Sequence, residues 1–158
     1  MSKKNIIPLG LILLLSSCLR VETEPIMVLN PTATLTAHIK NQKIYATVDL
    51  KANPDVLTAG NIPFRFEYEG DLSIFNTKTG NVIDLNSFTG GGISQVYTVS
   101  ADTATHDRFI VVVSGRVSAF ADIGKDSDSS NDKEISTAEF YTEEQFFLTE
   151  LLSPPAQN

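Results

Sequence analysis

From Thr32 onward, apolar and polar residues alternate along the chain. Every second residue is apolar in residues 33–39, and the same period returns in residues 44–50 after Asn41-Gln42. A period of two places alternate side chains on opposite faces of a strand, and Asn is frequent in short turns. The pattern therefore predicts a β-hairpin that turns one face toward a core.

Further segments with strand character are separated by turn-forming residues. The pattern predicts strands at residues 62–68, 72–76, 82–85, 94–100, 109–120 and 136–148. It predicts turns at residues 51–55, 59–61, 69–71 and 79–81, and a flexible break at residues 90–92.

Two of these strands carry a further expectation. Residues 109–113 are apolar at every position, which is typical of a central strand covered on both faces, and Gly115 predicts a bulge or bend in its middle. Residues 143–145 predict a second bulge, in the last strand. A short helix over residues 142–151 is the competing prediction because the segment contains good helix formers.

About seven to nine short strands without a long amphipathic helix predict an all-β fold, an antiparallel β-sandwich. The pattern resembles the immunoglobulin-like domains of exported bacterial proteins, although the chain has no Trp and no cysteine pair, so the antibody-type core signature is absent. A small barrel is the alternative. We expect one domain at residues 32–151, followed by a polar tail at residues 152–158.

The N-terminus has the pattern of an export signal. Lys3 and Lys4 precede an apolar run at residues 6–15, and Ser16 and Ser17 stand before Cys18. A run of about ten apolar residues is too short to span a bilayer comfortably. Residues 1–17 are therefore predicted to be a cleaved signal peptide and not a transmembrane helix.

Leu15-Ser16-Ser17-Cys18 resembles the lipobox of bacterial lipoproteins. The resemblance implies cleavage before Cys18, attachment of a diacylglycerol to its thiol and acylation of its new amino group with fatty acids such as palmitate. Residues 18–31 then form a tether, in which residues 26–29 can add an edge strand. Leu19 and Arg20 do not match the Asp that keeps enteric lipoproteins in the inner membrane, so an outer-membrane protein of a Gram-negative cell envelope is expected. An ordinary secretory signal giving a soluble periplasmic protein is the alternative.

Charge and cysteine content narrow the possible partners. Loss of residues 1–17 leaves ten basic and nineteen acidic residues, a net charge of −9. This balance argues against nucleic acid and against electrostatic attachment to anionic lipid. Since Cys18 is the one cysteine, the mature domain contains no disulfide if that residue is lipidated.

Residues that could carry catalysis form no recognisable motif. His38 and His106 lie 68 positions apart without a third ligand at zinc-site spacing, and both are expected on the surface. The Gly-x-Ser-x-Gly elbow is absent, and Gly90-Gly91-Gly92 is not followed by the residues of a phosphate loop. The sequence predicts a non-catalytic protein without a metal or cofactor.

Two groups of residues could still bind a ligand. Residues 122–134 are rich in oxygen ligands, and a calcium ion is one hypothesis although EF-hand spacing is not met; a solvated hairpin loop is the other. The candidate ligands are Asp126, Asp128, Asn131, Asp132 and Glu134. The second group either lines a ligand face or packs in the core, and consists of Tyr68, Phe75, Tyr97 and Tyr141.

Two functions fit these observations. The first is a lipid-anchored assembly or binding subunit that docks onto a larger machine of the cell envelope. The second is a surface-exposed adhesion or capture module that presents loops, including residues 122–134, to an extracellular glycan, peptide or protein.

Overall fold

The computed structural model describes residues 25–58, 62–77, 79–102, 108–122 and 129–152. The signal peptide, Cys18, the turn predicted at residues 59–61, His106, Asp126, Asp128 and the end of the polar tail lie outside these ranges. The elements are β1 (Ile26–Leu29), β2 (Thr32–Lys40), β3 (Lys43–Lys51), β4 (Pro54–Thr58), β5 (Phe64–Asn76), β6 (Val82–Gly91), β7 (Ser94–Asp102), β8 (Arg108–Ala121), a 3-10 turn (Ser129–Asn131), β9 (Lys133–Phe147) and α1 (Leu148–Leu152).

The strands form two packed antiparallel sheets and a short ribbon. The strand orders are β2-β3-β7 in one sheet, β6-β5-β8-β9 in the other, and β1-β4 in the ribbon. In the letters used for immunoglobulin domains, the first sheet corresponds to strands A, B and E, and the second to C′, C, F and G. The predicted antiparallel sandwich is confirmed, and the barrel alternative is wrong because the sheets do not join into one.

The predicted hairpin is present in full. β2 and β3 pair over nine residues, from Thr32 opposite Lys51 to Lys40 opposite Lys43. Asn41 and Gln42 have φ values of 51° and 60°, as a two-residue turn with left-handed backbone requires. Apolar residues of β3 face the core, with Ile44 and Val48 fully buried.

The turn predicted at residues 69–71 and the bulge predicted at Gly115 are both wrong. β5 continues through Gly70, which stands opposite Gly115 in an unbroken register with β8. A Cβ on Gly70 would lie 2.3 Å from the Ser114 carbonyl oxygen, and one on Gly115 would lie 2.2 Å from the Glu69 carbonyl oxygen. Glycine is needed at both positions because the two strands leave no room for a side chain there.

The register does shift elsewhere in the four-stranded sheet. One shift lies between Ala119 and Phe120 on the β9 side, and another lies between Ile74 and Phe75 on the β6 side. The bulge predicted at residues 143–145 is wrong, because β9 pairs with β8 continuously across them. Both elements predicted for the C-terminus are present, each over part of the segment. The strand extends to Phe147, and the helix covers only Leu148–Leu152.

The connection between β6 and β7 ties the two sheets together. β6 runs to Gly91, well beyond the predicted end at residue 85, and Gly92 adopts a φ of 115° in a tight turn instead of a longer break. The Ile93 carbonyl accepts hydrogen bonds from the Ala52 amide at 3.0 Å and the Tyr68 hydroxyl at 2.9 Å. This crossing point is therefore fixed to β5 of one sheet and to the residue that follows β3 of the other.

Candidate ligand-binding face

The outer surface of the four-stranded sheet carries polar side chains in register across all four strands. Three rows result, each with one residue from β6, β5, β8 and β9 in that order. We call these rows the polar face: Ser87, Asp71, Ser114 and Tyr141 in the first; Thr89, Glu69, Arg116 and Glu139 in the second; Gly91, Glu67, Ser118 and Thr137 in the third.

Two adjoining depressions follow the rows. The larger has a volume of about 780 Å³ and covers the first and second rows, and the smaller has a volume of about 420 Å³ and extends toward Phe120 and Glu134. Both are lined by Glu69, Thr89 and Arg116, so they form one continuous groove. Serine, threonine and glycine form its low parts, since their side chains are short, whereas longer side chains form its walls.

Hydrogen bonds hold several of the polar side chains in place. Arg116 Nε donates to Glu69 Oε1 at 2.7 Å, and Ser87 Oγ donates to Asp71 Oδ1 at 2.6 Å. The arginine and the glutamate both remain more than half exposed, so this ion pair contributes little to stability and is accessible to a ligand. Among the described residues, the Glu139 carboxylate has no hydrogen bond or ion pair.

The polar face is acidic overall. It contains the carboxylates of Glu67, Glu69, Asp71 and Glu139 and the single guanidinium of Arg116. Such a field repels phosphate-rich and other polyanionic ligands. It admits neutral ligands with many hydroxyl groups as well as cations.

Tyr141 provides an aromatic surface beside these carboxylates. Its side chain is 64% exposed, and its hydroxyl donates to Glu143 Oε2 at 2.5 Å. This hydrogen bond raises the pKa of the Tyr141 phenol. The ring is thus held at one end while its faces remain open for stacking.

Beneath the polar face, aromatic rings fill the space above the paired glycines. Phe88 and Phe140 lie 6.4 Å apart with nearly parallel rings, and each ring tip would meet the Cβ of an alanine at Gly70 or Gly115 within 2.9 Å. Phe88 also stacks on Tyr97 of the opposite sheet at 4.1 Å. The floor of the groove therefore has a tightly packed support.

The four predicted aromatic residues do not form one ligand face. Tyr68 is 2% exposed and lies in the core, where burial raises its pKa to about 12. Tyr97 also packs inward, its hydroxyl is buried without a hydrogen bond among the described residues, and burial raises its pKa. Phe75 is half-buried opposite Ile110, beyond the first row of the polar face, and does not line the groove. Only Tyr141 lines the groove.

In the described part of the acidic loop, the candidate ligand Asp132 is engaged by an arginine. Arg65 forms an ion pair with Asp132, whose side chain is only 5% exposed, and a second with Glu67. The hydrogen bond that Arg65 Nε donates to the Asp132 carboxylate is the main cause that raises the pKa of Arg65, and the guanidinium lies 4.2 Å from the centre of the Phe120 ring. Within the described ranges, no group of three or more His, Cys, Asp or Glu side chains could hold a metal ion.

His38 lies on the outer face of the three-stranded sheet. It is exposed, as predicted, and its ring stacks on Tyr45 with 5.3 Å between ring centres.

No helix in the described ranges has the length and hydropathy needed to cross a membrane.

Comparisons with known proteins gave little similarity. No protein-family model matches the chain, and the search of curated proteins gave no significant match. One similar solved structure is the X-ray structure of Northeast Structural Genomics Consortium target SoR45, with 11% identity, 84% of this chain and 94% of that chain covered, and a TM-score of 0.35. Another is β-glucosidase 3B from Thermotoga neapolitana in complex with glucose, with 9% identity, 77% and 17% covered, and a TM-score of 0.25. Neither likeness carries an argument about function.

The polar face was missed in the sequence because its rows cross four strands. The sequence predicts a turn at Glu69 and Asp71, and Thr89 and Gly91 lie beyond the predicted end of their strand. The alternation of polar and apolar residues on β8 and β9 was the available signal. The strand register was also needed to bring Arg116 between Glu69 and Glu139.

Proposed function

We propose that this protein is a lipid-anchored, non-catalytic binding module of a Gram-negative cell envelope, and that the polar face is its ligand-binding surface. The groove at the centre of the four-stranded sheet supports the polar face as the binding surface, because hydroxyls, carboxylates and one guanidinium are accessible there together. Concave surfaces with a few fixed polar groups are the usual form of ligand sites.

The N-terminal sequence supports the anchored state. Lys3, Lys4 and the apolar run precede Leu15-Ser16-Ser17-Cys18 in the order of a lipoprotein signal. Several acyl chains on one residue bind a bilayer essentially permanently, because each buried methylene contributes about 0.8 kcal/mol. The residues after Cys18 favour the outer membrane as the destination.

A glycan is the ligand that these groups fit best. Glu139 and Arg116 can pair with vicinal hydroxyls, and the neighbouring serine and threonine hydroxyls can donate or accept. The exposed ring of Tyr141 offers a face on which a sugar ring can stack. The four carboxylates outnumber Arg116 and the neighbouring Arg65, which pairs with Glu67, and this balance favours a neutral sugar over an acidic one.

The test is binding of the purified lipoprotein, held in detergent micelles, to a printed array of neutral and acidic oligosaccharides. Glu139→Gln is expected to weaken binding to neutral glycans about tenfold or more, since one hydrogen bond to a charged group contributes about 1.5–3 kcal/mol. Tyr141→Ala is expected to weaken the same binding because it removes the stacking surface. Thr36→Ala, on the outer face of the other sheet, is the matched control and should bind like wild type.

The outcomes separate the ligand classes. Binding to neutral glycans that depends on Glu139 and Tyr141 supports the proposal. Binding to basic peptides on a parallel peptide array that also depends on Glu139 and Tyr141 would support the polar face as the binding site but would show that its ligand is a peptide and not a glycan. Glycan binding that neither variant changes would show that the polar face is not the site.

Docking onto an envelope machine is the second candidate function. β6 and β7 are edge strands, and exposed aliphatic side chains follow them: Val82, Leu85, Ile93 and Val96. Unpaired edges with apolar residues are surfaces to which other chains add. A photocrosslinking amino acid at Val96 should then capture one discrete envelope protein in growing cells, whereas a pure capture module should give no discrete product.

A further inference from the structure

The β1-β4 ribbon presents an apolar surface to solvent. Met27 and Leu29 point into the core, with 5% and 6% exposure, while Ile26, Val28 and Leu57 are exposed by 54%, 44% and 58%. Asp55, the only charged residue in the two strands, is exposed and stands opposite Val28. Exposed aliphatic residues that are grouped and bordered by a polar residue are typical of an interaction surface, so this side of the ribbon is a candidate contact surface.

The position of the ribbon in the chain limits how far it can lie from the anchor. Seven residues separate Cys18 from Ile26. A fully extended chain covers about 3.3–3.6 Å per residue, so Ile26 lies within about 29 Å of the lipidated cysteine. The thirteen residues of β5 alone extend over about 40 Å. The tether is thus shorter than the sandwich is long, and the ribbon is the described element nearest the membrane along the chain.

Anchoring makes a weak second contact effective. Three half-exposed aliphatic side chains are too few to hold a free protein on a bilayer. When the acyl chains already hold the N-terminus at the membrane, the second contact becomes intramolecular and its effective concentration is high. The mature net charge of −9 argues against electrostatic attraction to anionic lipid, so we expect such a contact to be apolar and to depend little on salt.

We propose that the exposed side of the β1-β4 ribbon rests in the headgroup region of the bilayer that holds Cys18, and that this contact fixes the orientation of the sandwich. The inference depends on the lipid anchor of the proposed function. It adds a second attachment, through Ile26, Val28 and Leu57, that the anchor alone does not require.

The absence of tryptophan from the sequence allows a direct test. Leu57→Trp introduces one fluorophore on the ribbon, and Val96→Trp introduces one at a similarly exposed position on β7, with 58% and 63% exposure in the wild-type chain. Each lipoprotein is purified from membranes and reconstituted into phosphatidylcholine vesicles with or without brominated acyl chains. Leu57→Trp is expected to be blue-shifted and quenched by the brominated lipid, also at high salt, whereas Val96→Trp keeps a solvent-exposed emission maximum and is not quenched.

Other results distinguish the possible failures. If neither protein floats with the vesicles, the lipid anchor and the proposed function fail. If both float and Leu57→Trp is not quenched, the ribbon does not contact the membrane and this inference alone is overturned. A blue shift without quenching, which also grows with protein density, would show that a second copy covers the ribbon and would equally overturn it.

A second tryptophan variant shows whether the result depends on a local structural change caused by the Leu57→Trp substitution. Val28→Trp places the fluorophore on the other strand of the ribbon, and circular dichroism of each variant checks the β-structure. Quenching at Val28 and Leu57 together is the expected result, since both side chains lie on the exposed side of the ribbon.

Discussion

Replacing Gly115 by alanine is expected to destabilise the sandwich by about 2–4 kcal/mol. The new Cβ would lie 2.2 Å from the Glu69 carbonyl oxygen and 2.8 Å from the tip of the Phe140 ring, both far inside van der Waals contact. Overpacking of this kind typically costs about 1–3 kcal/mol, and separating β5 from β8 weakens at least one hydrogen bond of the ladder by about 1 kcal/mol more.

The assay is thermal and urea unfolding followed by circular dichroism, with all proteins in the same detergent. For a domain of this size the expected loss corresponds to a decrease in Tm of about 10 °C. Gly91→Ala is the matched control, because its Cβ would meet only the Phe66 carbonyl oxygen at 3.3 Å. That variant is expected to lie within about 0.5 kcal/mol of wild type. A Gly115→Ala protein as stable as the control would refute the close approach of the two strands.

Further predictions concern buried hydroxyls and the acidic loop. Tyr97→Phe removes a buried hydroxyl that has no hydrogen-bond partner among the described residues, and it should leave the free energy of unfolding in urea unchanged or raise it by about 1 kcal/mol. Tyr68→Phe removes a hydrogen bond and should lower the free energy of unfolding by about 1 kcal/mol. A Tyr68→Phe protein more stable than Tyr97→Phe would contradict the hydrogen-bond assignment. Burial raises the pKa of Tyr68 in the folded protein to about 12 from 10, so its contribution to stability is complete below pH 10 and is lost as the pH rises through 12. In urea titrations at alkaline pH, wild type should therefore lose more stability over this interval than Tyr68→Phe. Since Arg65 already pairs with Asp132, calcium should not raise Tm; a rise that disappears in Asp126→Ala/Asp128→Ala would instead establish a cation site in the loop.

Strict alternation allowed much of the sandwich to be predicted. The β2-β3 hairpin and β7 follow the apolar period because each has one face in the core, and residues 109–113, apolar at every position, lie in β8 as a central strand between β5 and β9. The edge strand expected at residues 26–29 of the tether forms as β1, although the turn predicted at residues 51–55 includes the first two residues of its partner β4. Pro54 and Asp55 are common in turns, and the pairing with β1 outweighs that local preference.

Glycines caused the clearest errors. Glu69-Gly70-Asp71 has the composition of a turn, and Gly115 has that of a bulge, because both interpretations consider only neighbours in the chain. Gly70 and Gly115 are required instead by each other's backbones and by the rings of Phe88 and Phe140. The close approach of β5 and β8 requires glycine at both positions, and this approach cannot be predicted from the residues next to them in the sequence.

The candidate site was less predictable than the fold for a similar reason. The exposed aromatic residue Tyr141 and its acidic neighbours could be placed on a strand, but Tyr68 and Tyr97 have the same alternation and face the core. Which face is buried depends on the packing of the two sheets. The acidic loop stood out in the sequence, yet the contact of Asp132 with Arg65 joins residues 67 positions apart.

The central claim is that a lipid on Cys18 anchors the sandwich in the cell envelope, and the most direct test is mass spectrometry of the N-terminal peptide from the membrane fraction, combined with fatty-acid labelling. The account predicts that the mature chain begins at Cys18 and carries a diacylglycerol and an amide-linked acyl chain, and that Cys18→Ala retains residues 1–17 and incorporates no label. An unmodified Cys18, or fatty-acid label that persists in Cys18→Ala, would contradict it.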